Sequence, residues 1–220
     1  MSVTDMPPRL VIFDCDGVIV DSEPPLLEFL RDEFARFGLN ISLHELETKY
    51  VGGTMATVGD RARAAGAKLP EDWQVEVYPR VFEMLRSGVP LIPGIEAAFD
   101  ALDAAGIPYC VGSNGPMEKM DVTLGAHPAV FERLKGRIHS AHTHGVAKPD
   151  PGLFLIAAES MGVAPEHCLV IDDSPSGCIA ARRAGMRCFG FDPHGDGTRL
   201  IAEGATHLTD MFDLPRRIGV

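Results

Sequence analysis

The chain has 220 residues, of which 45% are hydrophobic and 23% are charged, a composition typical of a globular protein and not of a disordered one. Its formal net charge of −11 argues against nucleic acid or an anionic membrane as a partner, because both need a broad basic face. The longest apolar runs are only a few residues long, far short of the ~20 that a membrane helix needs. The N-terminal segment also lacks the apolar centre of a signal peptide.

The chain contains five cysteines, Cys15, Cys110, Cys168, Cys178 and Cys188. Their number is odd, no C-x-x-C pair occurs, and most of them lie inside apolar runs. These features favour buried, reduced thiols over a disulfide framework or a zinc site. We therefore expect a cytoplasmic protein.

The first predicted strand is followed by a long segment without any strand pattern. That strand is Arg9–Asp14, and helical patterns then cover Pro25–Phe37, Leu43–Val51, Thr54–Ala65 and Glu71–Arg86. A structureless loop of about 70 residues inside a compact domain is implausible. We therefore expect residues 22–89 to form an all-helical cap domain, inserted into a core made of residues 1–21 and 90–220. Hinges near Val20–Pro24 and Ser87–Gly94 would make this domain a lid over the end of the first strand.

After the insert, short apolar runs alternate with helical patterns. The predicted strands are Ile107–Gly112, Gly136–Ser140, Cys168–Asp172 and Arg187–Phe191, and the predicted helices are Ile95–Ala105, Met117–Leu124, Leu153–Met161 and Ser176–Ala184. Strands that are buried on both faces and joined by helices form parallel sheets with right-handed crossovers. The sequence predicts an α/β protein with a doubly wound, Rossmann-like parallel-sheet core.

Polar residues follow several of the predicted strands. They are Asp14 and Asp16 after the first strand, Ser113 and Asn114 after the second, Lys148 after the third and directly before the prolines of a KPDP segment, and Asp172 and Asp173 at the fourth. Taken alone, each has an ordinary structural interpretation: turn residue, helix N-cap or surface lysine. For Ser113 and Asn114 alone, the N-cap is the favoured interpretation, and a phosphate site at the helix start is the alternative.

In combination these residues predict a site. In a doubly wound sheet of order 3-2-1-4-5, ligands bind beyond the carboxyl ends of the central strands, where the four aspartates would converge. Four carboxylates in one pocket repel one another, and a hard cation such as Mg²⁺ would offset that repulsion. Lys148 and Ser113 could then hold an anion. A carboxylate nucleophile, Mg²⁺, a lysine and a hydroxyl together suit phosphoryl transfer.

Four segments, in this order, resemble the motifs of the haloacid dehalogenase superfamily, specifically its phosphatase and β-phosphoglucomutase-like branch with a helical cap after the first strand. The segments are DCDGVIVDSE from Asp14, the Ser113 segment, KPDP from Lys148, and VIDDSPSGCIAARRAG over Val170–Gly185. The resemblance extends over nearly the whole chain. It implies hydrolysis of a small phosphorylated metabolite, a sugar or sugar-acid phosphate, by an enzyme that we expect to be monomeric.

The resemblance also implies a role for each residue. Asp14 would attack phosphorus and form an aspartyl-phosphate, and Asp16 would protonate the leaving alcohol and later deprotonate water. Mg²⁺ would be held by Asp14, the backbone carbonyl of Asp16, and Asp173, with Asp172 close or shared. The transferring phosphoryl group would be bound by Ser113, Lys148 and the Asn114 N–H, and the leaving group would be met by Glu23, Gly52 and Gly53.

Three alternatives remain beside the phosphatase. True dehalogenases and phosphonate-cleaving relatives lack an aspartate at the position of Asp16, which disfavours their chemistry. A sugar phosphomutase of the β-phosphoglucomutase type usually carries an arginine in the cap loop beginning with glycine, whereas here no basic residue occurs between Val51 and Arg61. A phospho-receiver or binding module would place its aspartate on the third strand and would have no large lid.

Two further segments have a less definite meaning. Ser113–Pro116 together with Lys119 and Met120 resembles the bacterial 6-phosphogluconate phosphatase branch of the superfamily. His139, His142 and His144 are spaced irregularly for a metal site, so we interpret them as loop histidines near Lys148.

Overall fold

The computed structural model describes residues 6–50 and 55–220, apart from the side chain of Glu47. These residues divide into two compact units, one comprising the chain up to Asp21 together with Pro90–Val220, and the other comprising Ser22–Val89. None of the helices in the described part of the chain has both the length and the hydrophobicity to cross a bilayer.

In the described residues of the smaller unit, every regular element is a helix. Its helices are α1 (Glu23–Arg36), α2 (Leu43–Tyr50), α3 (Met55–Ala64) and α4 (Trp73–Arg86). Helix α2 is capped at its N-terminus, because the Ser42 hydroxyl accepts a hydrogen bond from the Glu45 N–H at 3.1 Å. Helix α4 begins two residues later than predicted, since Glu71 and Asp72 form a turn.

A buried carboxylate links helices α1 and α4 of the smaller unit. Glu33, with a side chain only 2% exposed, accepts a hydrogen bond from the indole N–H of Trp73 at 3.2 Å and pairs with Arg80 at 2.6 Å and Arg36 at 2.9 Å. Gly59 of α3 faces the Trp73 ring, where a Cβ would approach within 2.8 Å. The four-helix unit therefore packs around one tryptophan whose polar edge is satisfied.

The larger unit has a six-stranded sheet with helices around it. Its strands are β1 (Leu10–Phe13), β2 (Tyr109–Ser113), β3 (Ile138–Ser140), β4 (Cys168–Asp172), β5 (Arg187–Phe191) and β6 (Thr206–Leu208), and its helices are α5 (Ile95–Ala105), α6 (Met117–Gly125), α7 (Pro128–Leu134), α8 (Ala141–His144), α9 (Gly152–Ser160), α10 (Pro175–Arg183), α11 (Thr198–Ile201) and α12 (Leu214–Ile218). Two 3-10 turns lie at Pro165–His167 and Met211–Asp213.

All neighbouring strands pair in parallel, in the order β3-β2-β1-β4-β5-β6. The predicted doubly wound α/β fold and its strand order are therefore confirmed. Strand β6 is an addition that the sequence did not indicate, because three residues beginning with an exposed threonine carry too little apolar pattern. Strands β1, β2 and β4 are buried along their whole length, so their carboxyl ends are rigidly placed in the middle of the sheet.

Candidate active site

The carboxyl ends of three adjacent strands bring polar side chains together. Asp14 directly follows β1, Ser113 ends β2 and Asp172 ends β4. The register aligns them, since Phe13 of β1 lies beside Val111 of β2 and Ile171 of β4. All three polar residues are buried, with exposures of 8%, 2% and 0%. Buried polar groups need partners, and the partners define the site.

Lys148 provides the central cation. Its ammonium lies 2.9 Å from Asp14 Oδ1 and 2.8 Å from Asp172 Oδ2, and its side chain is only 2% exposed. Burial alone lowers the pKa of this lysine, but the two carboxylates raise it by more, so the pKa lies above its usual value. Lys148 is therefore a permanently charged group within the site.

Asp172 has every oxygen engaged by the protein. Its Oδ2 accepts a hydrogen bond from Lys148, while its Oδ1 accepts one from the Ser174 N–H at 3.0 Å and one from the Ser174 hydroxyl at 2.7 Å. Gly177 of α10 makes room for this carboxyl, because a Cβ there would overlap it. Asp172 thus orients Lys148. Ser174 and Gly177 were not among the predicted site residues, although both lie in the SPSG run that begins α10.

Asp14 carries a buried oxygen without a hydrogen-bond donor. Its Oδ1 faces the Lys148 ammonium as an ion pair but accepts no hydrogen bond of good geometry. The pKa of Asp14 is raised to about 6, because burial and the charges of Asp172 and Asp16 raise it by more than Lys148 lowers it. The pKa of Asp173 is raised well above its usual value by burial, then by Asp14 and Asp172. This cluster is therefore short of positive charge.

The same cluster fits a hard divalent cation. Asp14, Asp172 and Asp173 each offer a carboxylate oxygen, and these three oxygens lie within 4.8 Å of one another. Gly17 has a φ of +72°, and a Cβ at this position would overlap the Asp173 carboxyl, so the turn after β1 needs a glycine for two independent reasons. An all-oxygen donor set with an unsatisfied carboxylate oxygen matches Mg²⁺ chemistry.

Ser113 and Asn114 have different partners from those that an N-cap would have. The N-cap of α6 is Pro116, and the Ser113 hydroxyl instead accepts a hydrogen bond from the Gly115 N–H at 3.1 Å. The Asn114 side chain holds the backbone of Lys148 from both sides: its Oδ1 accepts from the Lys148 N–H at 2.9 Å, and its Nδ2 donates to the Lys148 carbonyl at 3.2 Å. The N-cap interpretation was wrong, and the Asn114 side chain positions Lys148.

Asp16 lies at the more open side of the site and has a basic partner. Lys119 of α6 donates a hydrogen bond to Asp16 Oδ2 at 2.7 Å, and the two side chains are 25% and 30% exposed. The sequence analysis named Lys119 only as part of the segment that resembles one branch of the superfamily, and did not predict it as a site residue. The helical pattern beginning at Met117 could have placed it there, because Lys119 is in the first turn of α6, which directly follows the Ser113 segment.

Of the remaining predicted residues, Glu23 belongs to the smaller unit and the histidines belong to the larger one. Glu23 is the exposed first residue of α1, and Gly52 and Gly53 lie outside the described residues. His139 is not a loop residue: it lies on β3, is 9% exposed, and contacts Ser160 Oγ at 3.0 Å and His144 Nε2 at 3.4 Å. The loop interpretation was wrong for His139, because the predicted strand Gly136–Ser140 already included this residue and the observed strand also contains it.

Comparison with known proteins relates this geometry to a family. The model of the haloacid dehalogenase-like hydrolases matches residues 8–185. The 6-phosphogluconate phosphatase of Escherichia coli (strain K12) is 31% identical over 209 residues, which cover 93% of this chain and 92% of that protein.

Two solved structures show the same fold over nearly the whole chain. A conserved haloacid dehalogenase-like protein of Agrobacterium tumefaciens is 30% identical, with a TM-score of 0.85 and coverage of 96% of this chain and 97% of that one. A haloacid dehalogenase family hydrolase of Deinococcus radiodurans, solved with bound phosphate and sodium, is 29% identical with a TM-score of 0.84, covering 96% and 94%. The chain therefore belongs to the haloacid dehalogenase-like hydrolase family, as an enzyme of the family's phosphatase type.

Proposed function

We propose that the protein is a Mg²⁺-dependent phosphomonoester hydrolase that acts on a small sugar or sugar-acid phosphate through an aspartyl-phosphate on Asp14. The observation that carries this proposal is the buried Lys148 ammonium, 2.9 Å from the Asp14 carboxylate and 2.8 Å from Asp172. A permanently charged donor beside a carboxylate nucleophile suits a reaction in which negative charge is concentrated on phosphoryl oxygens.

In the first step, an Asp14 oxygen attacks phosphorus and the bond to the ester oxygen breaks. Asp16 gives its proton to the departing alcohol. In the second step, Asp16 takes a proton from water as the water oxygen attacks phosphorus, and inorganic phosphate leaves while the Asp14 carboxylate is restored. Ser113, Lys148 and the Asn114 N–H bind the phosphoryl oxygens during both steps.

Asp14, Asp173 and the backbone carbonyl of Asp16 would hold Mg²⁺, with Asp172 beside them. The unsatisfied oxygen of Asp14 and the close approach of three carboxylates support this ligand set. When bound, Mg²⁺ supplies positive charge that neutralises the phosphoryl oxygens. The Asp172 carboxylate accepts three hydrogen bonds from Lys148 and Ser174, which favours a supporting position for it over direct ligation.

The contacts of the arginines in the smaller unit disfavour the mutase alternative, because a mutase of this type usually uses an arginine to hold a second phosphate. Arg61, the first basic residue after the loop, donates to the carbonyls of Lys49 at 3.2 Å and Tyr50 at 3.3 Å. The other five arginines of this unit also contact carboxylates or carbonyls of the same unit; they are Arg31, Arg36, Arg63, Arg80 and Arg86. Hydrolysis needs no such second phosphate site.

The domain roles and the substrate class are part of the same proposal. Residues 1–21 and 90–220 would be the catalytic core, and residues 22–89 the cap domain. Similarity to a 6-phosphogluconate phosphatase supports a sugar-acid or sugar phosphate as the substrate. Five buried, free cysteines support the expected cytoplasmic location, because a reducing compartment keeps thiols unpaired.

The test is phosphate release from a panel of sugar, sugar-acid, polyol and nucleotide monophosphates, measured with Mg²⁺, with chelator, and with Asp14→Asn. We expect release that requires both Mg²⁺ and Asp14, with sugar and sugar-acid phosphates as the best substrates. Asp121→Asn, which removes an exposed carboxylate from α6, is the control and should retain activity. Movement of phosphate within a hexose phosphate, without release, would instead establish a mutase.

A further inference from the structure

The site contains a second lysine, Lys119, which is more accessible than Lys148. The Lys119 side chain is 25% exposed, whereas the Lys148 side chain is 2% exposed. Lys119 Nζ donates to Asp16 Oδ2 at 2.7 Å, and an ammonium has three N–H groups to donate. Lys119 is therefore a positive charge at the open side of the site that a bound molecule could reach.

Gly115 lies between Lys119 and Ser113, one of the proposed phosphate-binding residues. A Cβ built at Gly115 would lie 3.4 Å from Ser113 Oγ, 3.7 Å from Asp16 Oδ2 and 3.9 Å from the Lys119 Cδ. The hydroxyl, the carboxylate and the lysine stem thus surround one position that carries no side chain. Lys119 and Ser113 therefore border the same small space.

The negative charge around Lys119 indicates which kind of substrate group this lysine could bind. Asp14, Asp16 and Asp173 all follow the carboxyl ends of central strands, and the formal charge of the chain is −11. A substrate that carries a carboxylate in addition to its phosphate would be repelled by these groups unless a cation met it. Lys119 contacts Asp16, which protonates the leaving alcohol in the proposed mechanism. Lys119 is therefore near the leaving group of the substrate.

We propose that Lys119 is a specificity-determining residue, which binds a carboxylate on the leaving group and makes a sugar-acid monophosphate the preferred substrate over the corresponding polyol phosphate. The proposal rests on the phosphatase function proposed above and names its substrate class. A charge-assisted hydrogen bond from Lys119 to the substrate carboxylate supplies the preference.

The test compares two substrates with the same phosphate position, 6-phosphogluconate and glucitol 6-phosphate, which differ in carrying a carboxylate or a hydroxymethyl group at C1. Steady-state kcat and KM are measured with Mg²⁺ for the wild type, Lys119→Met and Lys119→Arg. The control is Lys135→Met, which changes an exposed lysine paired only weakly with Glu132 at 3.4 Å. The readout is the ratio of the two kcat/KM values. Loss of the Asp16 contact slows both substrates equally, whereas loss of the carboxylate contact affects 6-phosphogluconate alone.

We expect the wild type and Lys135→Met to prefer 6-phosphogluconate by tenfold or more. In Lys119→Met the ratio should fall to near one, mainly through KM, and Lys119→Arg should restore part of it. An unchanged ratio in Lys119→Met, or a wild type without preference, would overturn the role of Lys119 and leave the phosphatase standing. Asp14-dependent release from p-nitrophenyl phosphate but from neither sugar would do the same. Absence of Asp14-dependent release from every ester would refute the phosphatase itself.

Discussion

Lys148 brings one positive charge to a place where three carboxylates meet. Its ammonium pairs with Asp14 and Asp172, and Asp173 completes the cluster. One cation does not balance three anions, so keeping these groups ionised lowers the free energy of unfolding of the metal-free protein. The raised pKa of Asp14, about 6, expresses this cost.

We predict that Asp14→Asn makes the metal-free protein more stable relative to wild type as pH rises. The pKa of Asp14 is about 6 in the folded protein and 3.8 as the unperturbed reference. The folded state therefore holds a proton that the unfolded state has lost between these values, and wild-type stability falls over that interval. The gain of the variant should grow from pH 4 to about 6 and then level off, at up to about 3 kcal/mol.

Urea unfolding at several pH values, with chelator present, measures this difference. Asp121→Asn controls for the removal of one negative charge from the surface. A stability difference between Asp14→Asn and wild type that does not change between pH 4 and pH 7 would contradict the prediction.

Asp16 supports a prediction about rate. We expect Asp16→Asn to lower kcat by ~10²–10⁴-fold, because an amide cannot transfer the proton that the leaving alcohol needs. The loss in kcat/KM, which reports the transfer to Asp14 and not the later hydrolysis, should be smaller for a substrate with a good leaving group, such as p-nitrophenyl phosphate, since that alcohol leaves without protonation. Equal losses on both substrates would remove Asp16 from the acid role.

At the scale of the element, the turn after β1 depends on one glycine. Gly17 has a left-handed backbone and its Cα faces the Asp173 carboxyl, whereas Gly38, between α1 and α2, has a similar φ of +86° and open space around it. Both positions resist a side chain through their backbone conformation. Only Gly17 also controls a candidate metal ligand.

We predict that Gly17→Ala lowers the affinity for Mg²⁺ at least tenfold, as displacement of groups that support metal ligands typically does. Gly38→Ala should lose a comparable amount of stability from backbone strain, roughly 1–2 kcal/mol, and keep its Mg²⁺ affinity. Calorimetric titration of Mg²⁺ into the two variants compares them directly. Equal affinities would show that the turn does not position Asp173.

The sequence predicted the elements that bury apolar surface better than those that do not. Strands β1, β2 and β4 combine apolar runs with complete burial, and their positions and order were predictable. Strand β6 and the helices α7, α8, α11 and α12 were missed, because elements of three to seven residues are too short to show a strand or helix period. Individual contacts were also beyond the sequence: nothing in the spacing of Asn114 and Lys148 indicates that one side chain holds the other's backbone.

At the scale of the whole molecule, a bound metal should stabilise the fold by mass action. We predict that Mg²⁺ at about 100 times its Kd stabilises the protein by about 2.7 kcal/mol, a rise in Tm of roughly 5–10 °C for a chain of this size. Asp173→Asn should abolish most of the rise, and Asp121→Asn should keep it. Thermal scans at increasing Mg²⁺ concentration provide the measurement, and a Tm of the wild type that is indifferent to Mg²⁺ would argue against the metal site.

The hydrogen bonds between Asn114 and Lys148 indicate where residues could be inserted into this chain. The Asn114 side chain, at the end of β2, hydrogen-bonds to both backbone groups of Lys148. The position of Lys148 is therefore fixed by the sheet and not by the segment that precedes it. Gly145, which is exposed directly after α8, is therefore a point at which the connecting segment can change in length. Residues inserted there should leave the lysine in register, which makes this turn a natural point for lengthening the enzyme or attaching a probe.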